Sequence, residues 1–272
     1  MEQITQLPEL HPEEQALREE NARLRASLTA LLLQKDDLLL IQCRRIEAAY
    51  LQRFGALELK LYESFCNCLR AKRKANLIRA SQNRRQEANL EQIEETLDGE
   101  LASYKEELYR RFQRVNHAME KPEGPGLTAQ GQRELRELYR QAVKALHPDL
   151  HPGGDEEQAQ TLQQAMRAYR AGDLKTLRSL CHGLSLPEPQ RVDALETLRA
   201  ERKRLKAEIR ELDRQLEAIK SDYPYNVRAF LEDPEREKAK QAELEGKLRE
   251  VLERQARYEA AIAQMLAPEE DD

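Results

Sequence analysis

The sequence predicts an all-α, elongated protein in which long helices and a coiled-coil hairpin flank a small helical module. Charged residues make up 35% of the chain, whereas aromatic residues make up 5% and tryptophan is absent. Such a composition leaves too few large side chains for a broad globular core and argues against an ordinary α/β enzyme. Glycine and proline number 10 and 11, and many of them fall between Pro122 and Gly154, so the remaining chain is nearly free of helix breakers.

Two breaks rich in proline or glycine divide the chain, one at residues 121–126 and the other at residues 185–189. Proline and glycine end helices and favour extended linkers, so each break marks a segment boundary. The predicted segments are an N-terminal bundle or coiled coil of long helices, a central module, a C-terminal helical hairpin and an acidic tail (residues 1–120, 127–184, 190–267 and 268–272).

The N-terminal segment reads as helix throughout, with interruptions expected near Gly55 and at residues 81–89. Residues 31–33 and 38–41 are apolar on more than one helical face, which predicts that this helix is contacted from several sides, in a bundle or a dimer. Asn89 and Gln92 form a capping pattern at the start of a further amphipathic helix. Its apolar stripe, called here the 90–119 stripe, consists of Leu90, Ile93, Leu97, Leu101, Tyr104, Leu108, Phe112, Val115 and Met119.

The C-terminal segment carries two apolar seams at alternating spacings of three and four residues, which is a heptad pattern. The first seam comprises Leu195, Leu198, Leu205, Ile209, Leu212, Leu216 and Ile219, and the second Leu244, Leu248, Val251, Tyr258, Ile262 and Met265. The breaks at Tyr223-Pro224 and Asp233-Pro234 separate two arms of similar length, which predicts an antiparallel hairpin. Two chains pairing in parallel as a homo-oligomer would use the same seams, so the pattern leaves both arrangements open.

A basic stretch, residues 70–85, contains seven arginines and lysines and no acidic residue. A phosphate-contacting surface is one interpretation. No aromatic side chain interleaves with these charges to stack on bases, and the whole chain has a net charge of -5. We therefore expect a solvated helix face and no nucleic-acid partner.

Residues 133–155 depart from the coiled-coil composition around them. At 100° per residue, one face of the predicted helix gathers four cations, the basic stripe (Arg133, Arg136, Arg140 and Lys144), opposite an apolar face. This helix must end before Pro148. The following loop, residues 147–155, leads to a second helix whose buried face would include Leu162, Ala165, Met166 and Tyr169 and which ends at Gly172, where Asp173 caps a short third helix.

This stretch resembles the J domains of DnaJ-type co-chaperones. The resemblance rests on His147-Pro148-Asp149, on the basic helix before it, on Pro152-Gly153 after it, and on the Leu162 to Ala168-Tyr169 pattern of the next helix. It implies that a DnaK-type chaperone ATPase is the partner: the basic stripe would lie against an acidic surface, and the loop would reach the nucleotide domain and promote ATP hydrolysis. His147, Pro148 and Asp149, with the four residues of the basic stripe, are then partner-binding residues, and Asp149 would accept charge-assisted hydrogen bonds from a partner arginine.

The resemblance is incomplete at its front edge. J domains begin with a short helix carrying a Tyr-x-x-Leu-Gly-like pattern, whereas here residues 122–131 precede the basic helix. The 90–119 stripe is the predicted substitute, with Tyr104 and Phe112 filling the gap. Without a substitute the segment 127–184 is near the lower size limit for independent stability, so we expect it to be largely unfolded on its own.

The same residues allow other interpretations. A purely structural coiled-coil scaffold with a degenerate module fits the same pattern. His147 and His151, with Asp149 or Asp155, would make a metal site, but the two prolines prevent the helical i, i+4 arrangement that would aim both imidazoles at one ion. No nucleophile with a neighbouring base and no glycine-rich phosphate loop is visible, so we expect neither an enzyme nor a cofactor.

The remaining sequence features concern location. The N-terminus lacks the pattern of a signal peptide, and the most apolar stretch, residues 31–41, is interrupted by Gln34, Lys35, Asp36 and Asp37. The four cysteines form no metal knuckle or paired framework. We therefore expect a cytoplasmic protein with free thiols and no membrane span.

Overall fold

The computed structural model describes residues 12–120, 127–184 and 195–267. The two predicted linkers and the acidic tail lie outside these ranges. Every regular element in the described residues is helical, which confirms the all-α class. The α-helices are α1 (Pro12–Asp37), α2 (Cys43–Tyr50), α3 (Ala56–Asn83), α4 (Leu90–Glu100), α5 (Ala102–Glu120), α6 (Ala129–Leu146), α7 (Glu156–Ala171), α8 (Leu174–His182), α9 (Leu195–Ser221), α10 (Arg228–Glu232) and α11 (Pro234–Leu266).

Helical backbone continues without a break from α1 to α3. Two π-helical turns, Leu38–Gln42 and Leu51–Gly55, join the α-helical parts. In the first of them the amide of Cys43 donates to the carbonyl of Leu38, five residues earlier. The interruption expected near Gly55 is therefore a wide turn within a continuous helix, whereas the one expected at residues 81–89 is a real break between α3 and α4.

The described helices group into two compact units. The first contains described residues up to Arg45 and from residue 127 to Asn226, and the second those between Ile46 and residue 120 and from Val227 onward. Both units draw on distant parts of the chain, so the segment boundaries read from the sequence do not coincide with the packing groups.

In the first unit, α1 lies parallel to α9. Asn21 donates to the carbonyl of Leu198 at 3.0 Å, and Lys35 donates to Gln215 at 2.8 Å, so the residue numbers rise together along both helices. Leu28, Leu205 and Leu212 are buried between the packed helices. The same core continues into the module, where α6, α7 and α8 pack on one another and α6 packs on α1.

In the second unit, α3 lies parallel to α11. Arg53, in the turn that leads into α3, pairs with Glu237 of α11 at 3.0 Å, and Gln82 of α3 donates to the carbonyl of Met265 at 2.9 Å. One core cluster surrounds Tyr50, Phe54 and Leu244, and another surrounds Ile78, Ile93 and Leu97. α4 and α5 complete this unit by packing along α3.

The helical pairing differs from the C-terminal hairpin predicted for residues 190–267. The two arms exist as α9 and α11, and the breaks fall where expected, with Asp233 capping α11. Each arm, however, belongs to a different unit and pairs in parallel with a helix from the N-terminal part of the same chain. An apolar seam accepts any helix of matching length and register, so the pattern of one arm does not specify its partner.

The 90–119 stripe also behaves differently from the prediction. It is divided at Leu101 into α4 and α5, although Asn89 does cap α4 by accepting from the amide of Gln92 at 3.1 Å. Ile93, Leu97 and Val115 are buried, whereas Phe112 and Met119 remain 44% and 51% exposed. These helices pack in the second unit, so the prediction that they replace the missing helix of the module is wrong.

Three of the seven basic residues in the basic stretch, residues 70–85, pair with acidic residues of α4. Arg70 pairs with Asp98 at 2.8 Å and with Glu94, Arg73 pairs with Glu100 at 2.7 Å, and Lys74 pairs with Glu94 at 2.6 Å. The sequence predicts a solvated face, and the structure adds acidic partners that follow within thirty residues of the chain. No helix in the described ranges combines the length and apolarity needed to cross a membrane.

Candidate partner-binding site

Helix α6 carries the basic stripe, and its ends are fixed by the local sequence. Thr128 caps the start by accepting from the amide of Gly131 at 3.2 Å, and His147 takes extended backbone angles one residue before Pro148. A helix end before this proline is therefore confirmed. The helix has one buried face, formed by Leu135, Tyr139, Ala142, Val143 and Leu146, as expected from its amphipathic pattern.

The basic stripe lies on the solvent side of α6. Arg133, Arg136, Arg140 and Lys144 are all exposed. Arg140 lies 3.5 Å from Glu137 on its own helix, and no carboxylate of the described residues pairs with Arg133 or Lys144. The stripe therefore presents positive charge that the rest of its unit does not neutralise.

The loop after α6 is a compact turn held by its own backbone. The amides of Leu150 and His151 both donate to the carbonyl of His147 at 3.0 Å. The imidazole Nε2 of His151 lies 2.6 Å from the carbonyl of Lys144, so it extends the capping of α6. His151 is therefore a structural side chain, and no group of three metal-ligating side chains occurs within the parts of the chain that the structure describes.

His147 is the buried member of the tripeptide. Its Nδ1 accepts a hydrogen bond from the amide of Asp149 at 3.1 Å, which requires an unprotonated Nδ1. Burial lowers the pKa of His147, while the nearby carboxylates of Asp149, Asp36 and Glu208 act in the opposite direction. The neutral imidazole thus shapes the turn, and only 18% of the His147 side chain is exposed.

Asp149 is more exposed than His147. Its side chain is 40% exposed, and its nearest cationic candidate is the Nδ1 atom of His147 at 3.9 Å, which is neutral in this arrangement. Its amide and carbonyl are both used in fixing the loop. The backbone of Asp149 is held while its carboxylate remains available to a donor from outside.

The end of α1 supports the module through two adjacent acids. The hydroxyl of Tyr139 donates to Asp36 at 2.6 Å, and the hydroxyl of Tyr169 donates to Asp37 at 3.1 Å. The two tyrosine rings are stacked, with centroids 4.2 Å apart. Burial raises the pKa of Asp36 and of both tyrosines, so the phenols remain donors. These bonds fasten α6 and α7 to α1.

The loop is also held by α9. Nη1 of Arg204 donates to the carbonyl of Asp149 at 2.8 Å and to Oε1 of Glu208, one turn along α9, at 2.7 Å. The second oxygen of Glu208 is buried and accepts no hydrogen bond. A cation from a helix more than fifty residues later in the chain therefore reaches the main chain of the loop.

The second and third helices of the module agree with the sequence analysis. Of the predicted face of α7, Leu162, Ala165 and Tyr169 are buried and Met166 is partly buried. Gly172 ends that helix with a left-handed backbone (φ 71°), and Asp173 caps α8 by accepting from the amide of Thr176 at 3.0 Å. Glycine adopts this conformation without the steric cost of a β-carbon. All four cysteines are free.

Four residues that hold the module and its loop were not predicted from the sequence, namely Asp36, Asp37, Arg204 and Glu208. Two adjacent acids inside the apolar stretch 31–41 were the available signal, because buried carboxylates require hydrogen-bond donors. Arg204 and Glu208 resemble any exposed i, i+4 pair of a coiled coil and gave no such signal. Comparison of the chain with protein-family models, curated proteins and solved structures finds no match.

Proposed function

We propose that this protein is a J-domain-like co-chaperone that engages a DnaK-type chaperone ATPase and stimulates its ATP hydrolysis. The observation that carries the proposal is the continuity of two features: the exposed basic stripe of α6 leads directly into the His147-Pro148-Asp149 turn, where the Asp149 carboxylate is half-exposed and unpaired. The stripe would bring an acidic partner surface to the module, and Asp149 would accept hydrogen bonds from a partner arginine.

The exposed charges of the basic stripe are better suited to speeding the encounter with the partner than to holding it tightly. Exposed cations speed the encounter with an acidic surface, and salt screens this attraction over about 8–10 Å at physiological ionic strength. The specific contact with the partner would be made by the turn, because the Asp149 carboxylate on a fixed main chain loses little freedom on binding. This division predicts that stripe variants weaken association, whereas Asp149 variants abolish stimulation.

The test is steady-state ATP hydrolysis by a purified bacterial DnaK-type chaperone with increasing amounts of the full chain. We expect stimulation by the natural protein and none by Asp149→Asn. Arg136→Glu should raise the concentration needed for half-maximal stimulation. Arg167→Glu, an exposed charge reversal on α7, is the matched control and should behave as the natural protein.

A structural scaffold is the second candidate, and one observation favours it. His147 is mostly buried, and the main chain of its loop is bonded to α9, so the turn already serves the internal packing of the chain. If hydrolysis does not rise on addition of the protein, or rises equally with Asp149→Asn, the co-chaperone proposal is wrong and the scaffold remains.

A further inference from the structure

Arg204 of α9 lies outside the module but contacts the main chain of the loop that carries Asp149. Its guanidinium donates to the Asp149 carbonyl at 2.8 Å and is itself oriented by Oε1 of Glu208 at 2.7 Å. Both side chains are about two-thirds shielded, with 32% and 27% exposure. An ion pair in this setting loses less to solvent than a fully exposed one.

The contact with Arg204 does not involve the Asp149 carboxylate. Arg204 binds the carbonyl and makes no ion pair with the carboxylate in the described structure, and Asp149 uses its amide to donate to His147 at 3.1 Å. The main chain of Asp149 is thus held at both its amide and its carbonyl, by different elements. A side chain on a fixed main chain samples fewer positions than one on a free loop.

We propose that Arg204 is a positioning residue that holds the His-Pro-Asp turn in its partner-binding conformation. This inference rests on the proposed function and deepens it, because it extends the functional site from the module to α9. Glu208 assists by orienting the guanidinium. Loss of the contact would leave the turn in several conformations, of which only a fraction binds the partner.

The expected signature is a change in apparent affinity without a change in maximal effect. When only a fraction of a protein is binding-competent, the apparent dissociation constant rises by the inverse of that fraction, whereas the bound complex is unaltered. For Arg204→Ala we expect the concentration giving half-maximal ATPase stimulation to rise roughly 3- to 10-fold, the scale of one typical intramolecular hydrogen bond, with unchanged maximal stimulation. Asp149→Asn should instead remove the stimulation itself.

A second measurement does not depend on the partner. Hydrogen exchange followed by nuclear magnetic resonance on the full chain would report the amides of Asp149, Leu150 and His151, which are bonded within the turn. Arg204→Ala should speed their exchange by a similar factor, and Arg204→Lys, which keeps a donor, should recover part of the protection. Arg210→Ala is the matched control, since this exposed side chain of α9 donates to the carbonyl of Lys206 on its own helix.

The outcomes separate the two proposals. If Asp149→Asn stimulates as the natural protein does, the co-chaperone proposal fails, and exchange alone decides whether Arg204 holds the turn. If Asp149→Asn is inactive while Arg204→Ala matches Arg210→Ala in both measurements, the role of Arg204 is refuted and the function stands.

Two further results are decisive. Stronger stimulation by Arg204→Ala would overturn the proposal, because α9 would then withhold the turn from its partner. If Arg204→Ala loses helicity as a whole, Arg204→Met, which keeps the aliphatic stem but has no donor, replaces it, and unchanged exchange in that variant would refute the positioning role.

Discussion

At the scale of single residues, His147 combines two properties that depend on its protonation. Its neutral ring accepts a hydrogen bond from the Asp149 amide, and burial lowers the pKa of the ring below the usual value of 6.5. The groups that face it are Lys35 and Asp36 of α1, Glu208 of α9 and Asp149 of its own loop. Protonation would remove the acceptor and disrupt the turn.

This arrangement predicts a pH-dependent stability. Between about 6.5, where histidine titrates in the unfolded chain, and the lower pKa of the folded state, the unfolded chain binds a proton that the folded chain does not. The contribution of neutral His147 is therefore complete above this window and is lost as the pH falls through it. We expect the advantage of the natural protein over His147→Gln in free energy of unfolding to shrink from about pH 7.5 to about pH 5.5, measured by urea denaturation.

Asp36 faces His147 and titrates in the opposite sense. Burial raises the pKa of that carboxyl while His147 lowers it, so the contribution of Asp36 to stability changes with pH in the opposite direction. The same comparison made in an Asp36→Asn background separates the two groups. A difference between the two proteins that stays constant over this pH range would show that His147 is not the titrating group.

At the scale of elements, α1 packs against the apolar face of the module. Leu28 and Leu32 are buried in the core that also contains Leu135, Val143 and Leu177. The apolar character of residues 31–33 and 38–41 on several faces is thereby explained, since α9 and the module both pack in this region. The structural module is therefore composite, with residues of α1 and α9 added to 127–184.

Truncation of Leu28 tests this composite core. Leu28→Ala should lower the free energy of unfolding by about 2–5 kcal/mol, the usual range for a fully buried leucine, and should accelerate hydrogen exchange in α6. Leu39→Ala, in the π-helical turn that follows α1, is the control, because Leu39 is 42% exposed. Equal effects of the two substitutions would contradict the packing of α1 on the module.

The elements differ in how far the sequence determines them. The ends of α6, α7 and α8 follow from Pro148, Gly172 and Asp173, because backbone constraints and capping act within a few residues. The basic stripe likewise follows from helical periodicity. The partner of each helix does not, since Leu205 on α9 would fit the seam of several other helices equally well, and the contact from Arg204 to the loop depends on that pairing.

At the scale of the whole chain, charge is abundant but internally compensated. The net charge is -5, and the most basic stretch faces α4, where Glu94, Asp98 and Glu100 accept its ion pairs. Nucleic-acid affinity depends on cations that are free to displace counterions from phosphates. The acidic face of α4 engages three of the seven basic residues of this stretch, which lowers its capacity to bind phosphates.

Removal of the acidic partners on α4 should give the chain an affinity for DNA that we do not expect of the natural protein. We expect little retention of the natural protein on a double-stranded DNA column at about 150 mM salt. The double variant Glu94→Gln and Glu100→Gln should elute at higher salt, because Arg70, Arg73 and Lys74 lose charged partners. Glu95→Gln, at an exposed position of α4, is the single-charge control, and tight retention of the natural protein would contradict the expectation.

The π-helical turn at Leu38–Gln42 has an evolutionary consequence. Leu38 and Cys43 are both buried although they lie five residues apart, because the wide turn absorbs one more residue than an α-helical turn. Loss of one residue inside this turn would restore α-helical geometry and leave the faces before and after it in register. Outside this turn and the one at Leu51–Gly55, a single deletion in the run from Pro12 to Asn83 would rotate all later side chains by about 100°. Natural length variation in this helix should therefore concentrate at its two wide turns.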